Sequence, residues 1–294
     1  DYVETYIEHI LSTTDVRLDG LKLAIDCANG SASYTAEKIF KGLGADCYMM
    51  HNNPDGVNIN AKCGSTCMDG LIDYVNGHRV DLGLAFDGDS DRCLAVDEKG
   101  NVIDGDKLIA VFAKDMKERG VLPKDTAVVT VMSNIGFKRF AKENNIKVAE
   151  TGVGDRYVLE EMLKNNYGIG GEQSGHIIFK QFATTGDGQL TGVQFASVMK
   201  RTGQKASKLA AVMQAYPQTM VNVKAAPELK ALLKTDVEIN NAINAAAKAL
   251  GENGRILVRA SGTEPLIRVM IEGENIKEIA KMAKDVAKVI ESKG

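Results

Sequence analysis

Tryptophan is absent from this sequence, and proline and histidine are scarce, with 5 and 4 residues. So few prolines exclude long proline-stiffened linkers. No stretch approaches the ~18 consecutive apolar residues that a membrane-spanning helix needs, so no membrane partner is expected. Neither sign of charge dominates: 36 Lys and Arg face 39 Asp and Glu. There is no basic cluster of the kind a nucleic-acid surface requires. The cysteines (Cys27, Cys47, Cys63, Cys67, Cys93) are odd in number and scattered, which excludes a disulfide scaffold. Cys63 and Cys67 lie four apart, but zinc sites usually supply two such pairs, or a Cys pair with a His pair. All five read as reduced thiols of a cytoplasmic protein. The opening DYVETYIEHI carries acidic side chains and neither Lys nor Arg, unlike a secretory leader.

What is present is a globular composition, 44% hydrophobic and 26% charged over 294 residues, enough for two or three domains. Tyr2, Val3, Tyr6, Ile7 and Ile10 recur at helical spacing, so residues 1–11 are expected to be a helix left from a preceding domain. LKLAIDCANG is an apolar strand running into a polar loop. SASYTAEKIFKGLG then reads as a helix capped by Ser31 or Ser33. VDLGLAFDGDSDR repeats the strand-to-loop theme, and CLAVDEKGNVI reads as a hairpin around Glu98–Gly100. The pattern restarts at residue 105 with helix, strand and helix, and GDRYVLEEMLKNN places Val158, Leu159, Met162 and Leu163 on one helical face. From about residue 218 the order is β-α-β-β-α. The fold class is therefore α/β: two related strand–helix domains with mixed sheets (12–105 and 106–216), followed by an α+β domain (217–294).

Three loops carry chemistry. Asp87-Gly88-Asp89-Ser90-Asp91-Arg92 follows an apolar strand, and carboxylates at alternate positions can converge on a hard cation such as Mg²⁺ or Ca²⁺. An EF-hand is excluded, because its sixth position needs Gly and holds Arg92, and the flanks read as strands; a solvated acidic turn is the plainer alternative. Gly171-Glu172-Gln173-Ser174-Gly175-His176 offers a carboxylate and a hydroxyl suited to sugar hydroxyls, or is simply a polar turn, with His176 a loop histidine rather than a base. Arg259-Ala260-Ser261-Gly262-Thr263-Glu264-Pro265, with Arg268 beyond, joins two strands. It can cradle a phosphate, or be an ordinary β-turn. Lys224 and Arg255 would add charge if nearby. Gly154-Asp155-Arg156 opens a helix, either as an anion-binding N-terminus or with Asp155 as the cap.

Three such loops in this order, with DCANGSASYTA, MSNIG, VGDRYVLE and TTGDGQLTGVQ between them, resemble the α-D-phosphohexomutase family over essentially the whole chain. The resemblance implies Mg²⁺ on Asp87, Asp89 and Asp91, one ion per active site, with Arg92 supporting phosphoryl transfer. It also implies sugar binding by Glu172, Ser174, His176, Asp155 and Arg156, and phosphate binding by Arg259, Ser261, Gly262, Thr263 and Arg268. GEQSGH and GDRYV favour members that interconvert glucosamine 6-phosphate and glucosamine 1-phosphate through a phosphoserine. Glucose or glucosamine 1,6-bisphosphate is then the expected intermediate or activator, and UDP-N-acetylglucosamine and cell-wall synthesis the destination. Two departures stand out. Ser90 occupies a position where many relatives have Gly. The family's phosphoserine loop, T-x-S-H-N-P, has no match here, the nearest string being His51-Asn52-Asn53-Pro54. The expectation is a chain lacking its N-terminal serine domain, inactive alone, with that domain and a second copy in a homodimer as its protein partners. Phosphomannomutase or phosphoglucomutase activity, a phosphatase of the haloacid-dehalogenase kind using Asp87 as nucleophile, and a non-enzymatic sugar-phosphate or calcium binder remain as alternatives.

Overall fold

The runs LAI, within KLAID, and LGLAF have no polar residue to turn toward solvent, so both belong in sheet interiors covered on two faces. In the computed structural model, which describes residues 2–262 and 264–294, they are adjacent parallel strands, β1 (Lys22–Asp26) and β3 (Leu82–Phe86). β2 (Asp46–Met50) pairs with β1 in parallel, while β4 (Cys93–Asp97) and β5 (Val102–Ile103) continue antiparallel, giving the order β2-β1-β3-β4-β5. Helices α1 (Tyr2–Ser12), α2 (Ala36–Gly42) and α3 (Asp69–Gly77) accompany this sheet. After α4 (Gly105–Glu118), the second sheet comprises β6 (Thr126–Thr130), β7 (Lys147–Thr151), β8 (Ile169–Gly171) and β9 (Ile177–Phe179). Its order is β7-β6-β8-β9, parallel except for the last pair. Helices α5 (Ile135–Glu143), α6 (Asp155–Asn165), α7 (Gly188–Thr202) and α8 (Ala206–Ala210) complete it.

The chain divides into two compact units, and the first takes residues up to Ser133 together with Phe137–Gln214. Segments 12–105 and 106–216 thus hold one sheet each, yet they share a continuous hydrophobic core running from Ile25 and Leu84 through Phe112 to Val129 and Phe195. Phe112 meets Phe179 edge-on at 4.8 Å between ring centroids. In both sheets the parallel strands run in the same direction, so the loops after β1, β2 and β3 gather at one carboxyl edge, and those after β6, β7 and β8 at another. Such edges are where open α/β sheets place their ligands.

The second unit joins Asn134–Gly136 to residues from Ala215 onward. It is an antiparallel sheet, ordered β10 (Gln218–Lys224), β12 (Leu266–Gly273), β11 (Gly254–Ala260), with helices α9 (Pro227–Leu232), α10 (Val237–Leu250) and α11 (Ile276–Glu291). Ile279, Ala283, Val286 and Ile290 form the buried stripe of α11, the spacing of a helix packed on one face. Among the described residues no helix is long and apolar enough to cross a membrane.

Several local expectations are corrected. SASYTAEKIFKGLG is a 3₁₀ turn over Ser31–Tyr34 and then α2, not one helix. The Ser31 hydroxyl is no cap; it donates to Ser90 Oγ at 2.8 Å. In α6 the N-cap is Gly154, not Asp155. Val158 and Met162 are buried, but Leu163 is 51% exposed, because only a narrow stripe of this helix faces its sheet. The short helix α9 was not expected at all.

Candidate active site

Asp87, Asp89 and Asp91 leave the carboxyl end of β3, and their oxygens lie within 4.8 Å of one another. At an effective dielectric of ~20, two ionised carboxylates at that separation repel by about 3 kcal/mol before screening, so the loop needs compensating structure. Part of it comes from within. Asp87 is buried and accepts the Arg92 backbone N–H at 3.1 Å, and the Arg92 guanidinium lies 3.0 Å from its other oxygen and 3.5 Å from Asp91. Burial pushes the Asp87 carboxyl above the usual carboxylate range, and the charges of Asp91 and Asp89 add to this. Burial acts in the same sense on Asp91, but His176, Asp87 and Arg92 outweigh it and hold that carboxyl low.

The loop is braced by its neighbours. A Cβ on Gly30 would lie 2.2 Å from Gly88 O, so the loops after β1 and β3 can touch only through glycine. They are joined there by the Ser31 N–H to Gly88 O bond of 2.9 Å. Ser90 has φ of 62°, the left-handed region that favours glycine. Its hydroxyl compensates by accepting the Ala32 N–H at 3.0 Å and the Ser31 hydroxyl.

His176 is placed differently from its expected role. Only 4% exposed, it accepts the Gly186 N–H on Nε2 at 3.0 Å, which leaves its proton on Nδ1, 3.0 Å from Asp91 Oδ2. Both ring nitrogens are engaged, one of them by Asp91, which leaves neither free for a sugar hydroxyl. Such a histidine is the second-layer partner a metal-ligating carboxylate uses to fix its orientation. Asp91 Oδ1, by contrast, is buried with no hydrogen-bond partner among the described residues. Its nearest cation is Arg92 Nε at 3.5 Å, and a buried oxygen without a hydrogen bond beside two further carboxylates is a donor set that fits a hard divalent cation. Asp87 is turned inward against Arg92, which does not suit it as a nucleophile.

The GEQSGH turn between β8 and β9 lies beside this loop. Cys93 N–H donates to Gly175 O at 3.1 Å, and Gly105 N–H to Gln173 O at 2.9 Å. Ser174 is exposed, and Glu172 accepts the Gly154 N–H at 3.2 Å, tying the turn to the start of α6. Arg156, on that helix, is exposed and paired with Glu160 at 2.7 Å; Asp155 is exposed beside it. A cavity of about 560 Å³ opens on the other side of the aspartate loop, lined by Tyr6, Tyr34, Asp89, Asp91, Asp187 and Gln189 but not by Glu172, Ser174, Asp155 or Arg156, and it is large enough for a small polar ligand. Tyr6 donates to Asp187 at 3.0 Å; neither was foreseen, since 181 residues separate them.

In the second unit, Arg259 and Arg268 stand directly opposite across β11 and β12. Like charges in that position are unfavourable unless an anion separates them. Arg268 bonds Glu264 through one nitrogen, while its Nε is buried without a hydrogen-bond partner among the described residues. Ser261 Oγ accepts the Glu264 N–H at 3.2 Å, and Gly262 is exposed; Thr263 lies outside the described residues. Lys230 of α9, which was missed, donates to the carbonyls of Ser261 and Glu264 at 2.8 and 2.7 Å and so shapes the turn. Arg255 does not add to the cradle: it pairs with the fully buried Glu272 at 2.6 Å.

Three models describing phosphoglucomutase/phosphomannomutase match the chain in succession: alpha/beta/alpha domain II over residues 2–100, alpha/beta/alpha domain III over 104–216 and the C-terminal domain over 220–289. The phosphoglucosamine mutases of Clostridium novyi (strain NT) and Clostridium botulinum (strain Kyoto) are 52% and 51% identical over 291 residues, 99% of this chain. The chain spans 65% of the length of those relatives. Among solved structures, a phosphoglucomutase/phosphomannomutase family protein from Burkholderia thailandensis aligns with a TM-score of 0.83 at 23% identity, over 99% of this chain and 64% of that one. Aspergillus fumigatus N-acetylphosphoglucosamine mutase, in complex with GlcNAc-6P and magnesium, aligns at 0.77 with 20% identity, over 98% and 64%; both likenesses concern the fold. With the domain models in unbroken order and half its residues shared with those relatives, the chain belongs to the phosphoglucomutase/phosphomannomutase (α-D-phosphohexomutase) family and carries its domains II, III and IV.

Proposed function

We propose that the protein works as a phosphoglucosamine mutase, interconverting glucosamine 6-phosphate and glucosamine 1-phosphate through a bisphosphorylated sugar. The phosphoryl group is carried by a serine on a domain outside these 294 residues. The observation that carries this reading is the aspartate loop: three oxygens within 4.8 Å, one of them buried with no hydrogen bond among the described residues, and one carboxylate oriented by a buried histidine. Asp87, Asp89 and Asp91 hold Mg²⁺ in this reading. When bound, the ion neutralises charge on the phosphoryl group in flight, and positioning with charge neutralisation supplies most of the catalysis in such transfers. His176 keeps Asp91 turned toward the ion. Arg92, with 41% of its side chain exposed, turns from Asp87 to the transferring phosphoryl oxygens. Glu172 and Ser174 bind sugar hydroxyls, with Asp155 and Arg156 at the edge. Arg259, Ser261, Gly262, Thr263 and Arg268 hold the phosphate that is not reacting.

Calorimetry tests the phosphate assignment. Arg268→Ala is expected to weaken glucosamine 6-phosphate binding by about 10–100-fold, the worth of a charge-assisted hydrogen bond, and to leave free glucosamine unaffected. Equal weakening of both ligands would remove the cradle. The 294-residue chain with Mg²⁺ and glucose 1,6-bisphosphate should not interconvert the two phosphates, because each half-reaction needs a covalent carrier. Turnover by this chain alone, in a preparation free of host enzyme, refutes the phosphoserine step.

A further inference from the structure

The loops after β1 and β2 hold a second convergence of ligands, chemically unlike the first. Asp26, the last residue of β1, is 1% exposed. His51 follows β2, and Cys63 enters the next turn. The oxygen, nitrogen and sulfur atoms they offer all lie within 4.8 Å of one another. Parallel pairing of β1 and β2, with Asp26 opposite Met50, brings the first two together. The third arrives because Gly64, at φ +72°, lets the turn cross the strand ends, where a Cβ would lie 2.4 Å from Phe86 O. The Gly64 N–H donates to Asp26 Oδ2 at 2.9 Å, and the Ala28 N–H to Oδ1 at the same distance.

The His51–Asp26 contact is short enough for a hydrogen bond but does not have the geometry of one. His51 Nδ1 lies 3.0 Å from Asp26 Oδ2, yet it is a buried atom with no hydrogen-bond partner among the described residues. Two ligand atoms at that distance without a hydrogen bond between them resemble neighbours on one tetrahedral ion, which stand about 3.3 Å apart when bonds are ~2.0 Å. Cys63 is wholly buried, which excludes a nucleophile open to substrate. Asn29 Nδ2 lies 4.0 Å from its sulfur. Burial, and then the charge of Asp26, push its thiol up, so without a cation it stays protonated. Cys67, four residues on, lies close enough for its charge to act on that thiol.

We infer that Asp26, His51 and Cys63 form a second cation site, selective for a borderline-soft divalent ion of the zinc class, with its fourth position open to water or to Cys67. Mixed nitrogen, sulfur and carboxylate donors select such ions, whereas the all-oxygen aspartate loop selects hard ones. Binding releases the Cys63 proton to solvent. The site has a structural use, since the chain from Asp26 reaches Gly30 and Ser31, which brace the aspartate loop through Gly88.

The test is Co²⁺ titration of the reduced, chelator-stripped chain. The expected spectrum has a thiolate-to-cobalt charge-transfer band and the intense d–d bands of a tetrahedral ion. Cys63→Ser should abolish the charge-transfer band, and His51→Gln should weaken cobalt binding on the order of tenfold or more. Asp89→Asn, in the other loop, should leave the charge-transfer band unchanged. His51 is part-exposed, so its variant keeps the test decisive should Cys63→Ser fail to fold. A cobalt spectrum without a thiolate band, a band that survives Cys63→Ser, unaltered affinity in His51→Gln, or a band lost in Asp89→Asn would each overturn the assignment.

Discussion

Ser90 separates two opposed contributions to the stability of the aspartate loop. Its φ of 62° costs a non-glycine residue roughly 1 kcal/mol, while its hydroxyl accepts the Ala32 N–H at 3.0 Å and the Ser31 hydroxyl at 2.8 Å. Ala32 is fully buried, so removing that acceptor strands a backbone donor at a cost of about 1–3 kcal/mol. Ser90→Ala loses the hydroxyl and keeps the backbone strain, and should destabilise the first unit by that full amount. Ser90→Gly loses the same hydrogen bonds but relieves the strain, and should be the more stable variant of the two by about 1 kcal/mol. In a unit of this size that corresponds to a melting point higher by ~2–4 °C. Urea unfolding followed by far-ultraviolet circular dichroism gives the comparison directly. An alanine variant as stable as the glycine variant would show that Ser90 carries no backbone strain. Parent-like stability in both would show that its hydroxyl contributes nothing.

Other perturbations test other parts of the molecule. His176→Asn should lower Mn²⁺ affinity of the aspartate loop by about 10–100-fold, read by paramagnetic resonance, and unchanged affinity would remove its orienting role. Glu272→Ala removes the buried carboxylate beneath Arg255 and the acceptor for the Ile135 N–H. It should destabilise the second unit by about 3–5 kcal/mol; a shift below ~1 kcal/mol in denaturant unfolding would contradict this. Burial acts to raise the Glu98 carboxyl, but the hydroxyl and N–H of Ser207 outweigh it and hold that group below its usual range. Its folded pKa is below its unfolded one, so its stabilisation is present above the glutamate range and is lost as pH falls through it. Glu98→Gln should therefore show a smaller loss of stability between about pH 7 and pH 3.5 than the parent, and an equal loss would exclude the contribution.

Most of what the sequence conveyed was local. A strand with no polar face followed by alternate carboxylates is legible because burial and loop geometry act over a few residues. The hairpin around Glu98–Gly100 was legible for the same reason, and so was the β-α-β-β-α order apart from the extra helix α9. What escaped depends on partners chosen by topology. His176 pairs with a carboxylate 85 residues away, so nothing beside it in sequence marks it as an orienting group. Arg255 looked like phosphate-loop charge, but register places it opposite Glu272 on β12. Lys230 sits on a helix too short for periodicity to detect. Beyond Cys67, Cys63 had no metal-site partner in its own segment, because His51 and Asp26 arrive from the ends of two other strands.

The order β2-β1-β3-β4 recurs as β7-β6-β8-β9, and this affects how such a protein can evolve. Each sheet secures its own strands and leaves the loops at its carboxyl edge free to vary, the arrangement by which one scaffold hosts many chemistries. Under the proposed roles, cation handling belongs to the first sheet and sugar recognition to the second. Apart from the His176–Asp91 contact, the two loops are tied by main-chain clamps, Cys93 to Gly175 and Gly105 to Gln173, which are indifferent to most side-chain changes. Substrate choice and phosphoryl chemistry are thereby separable traits. Selection, or a designer, can rewrite Glu172 and Ser174 for another sugar without disturbing the aspartates.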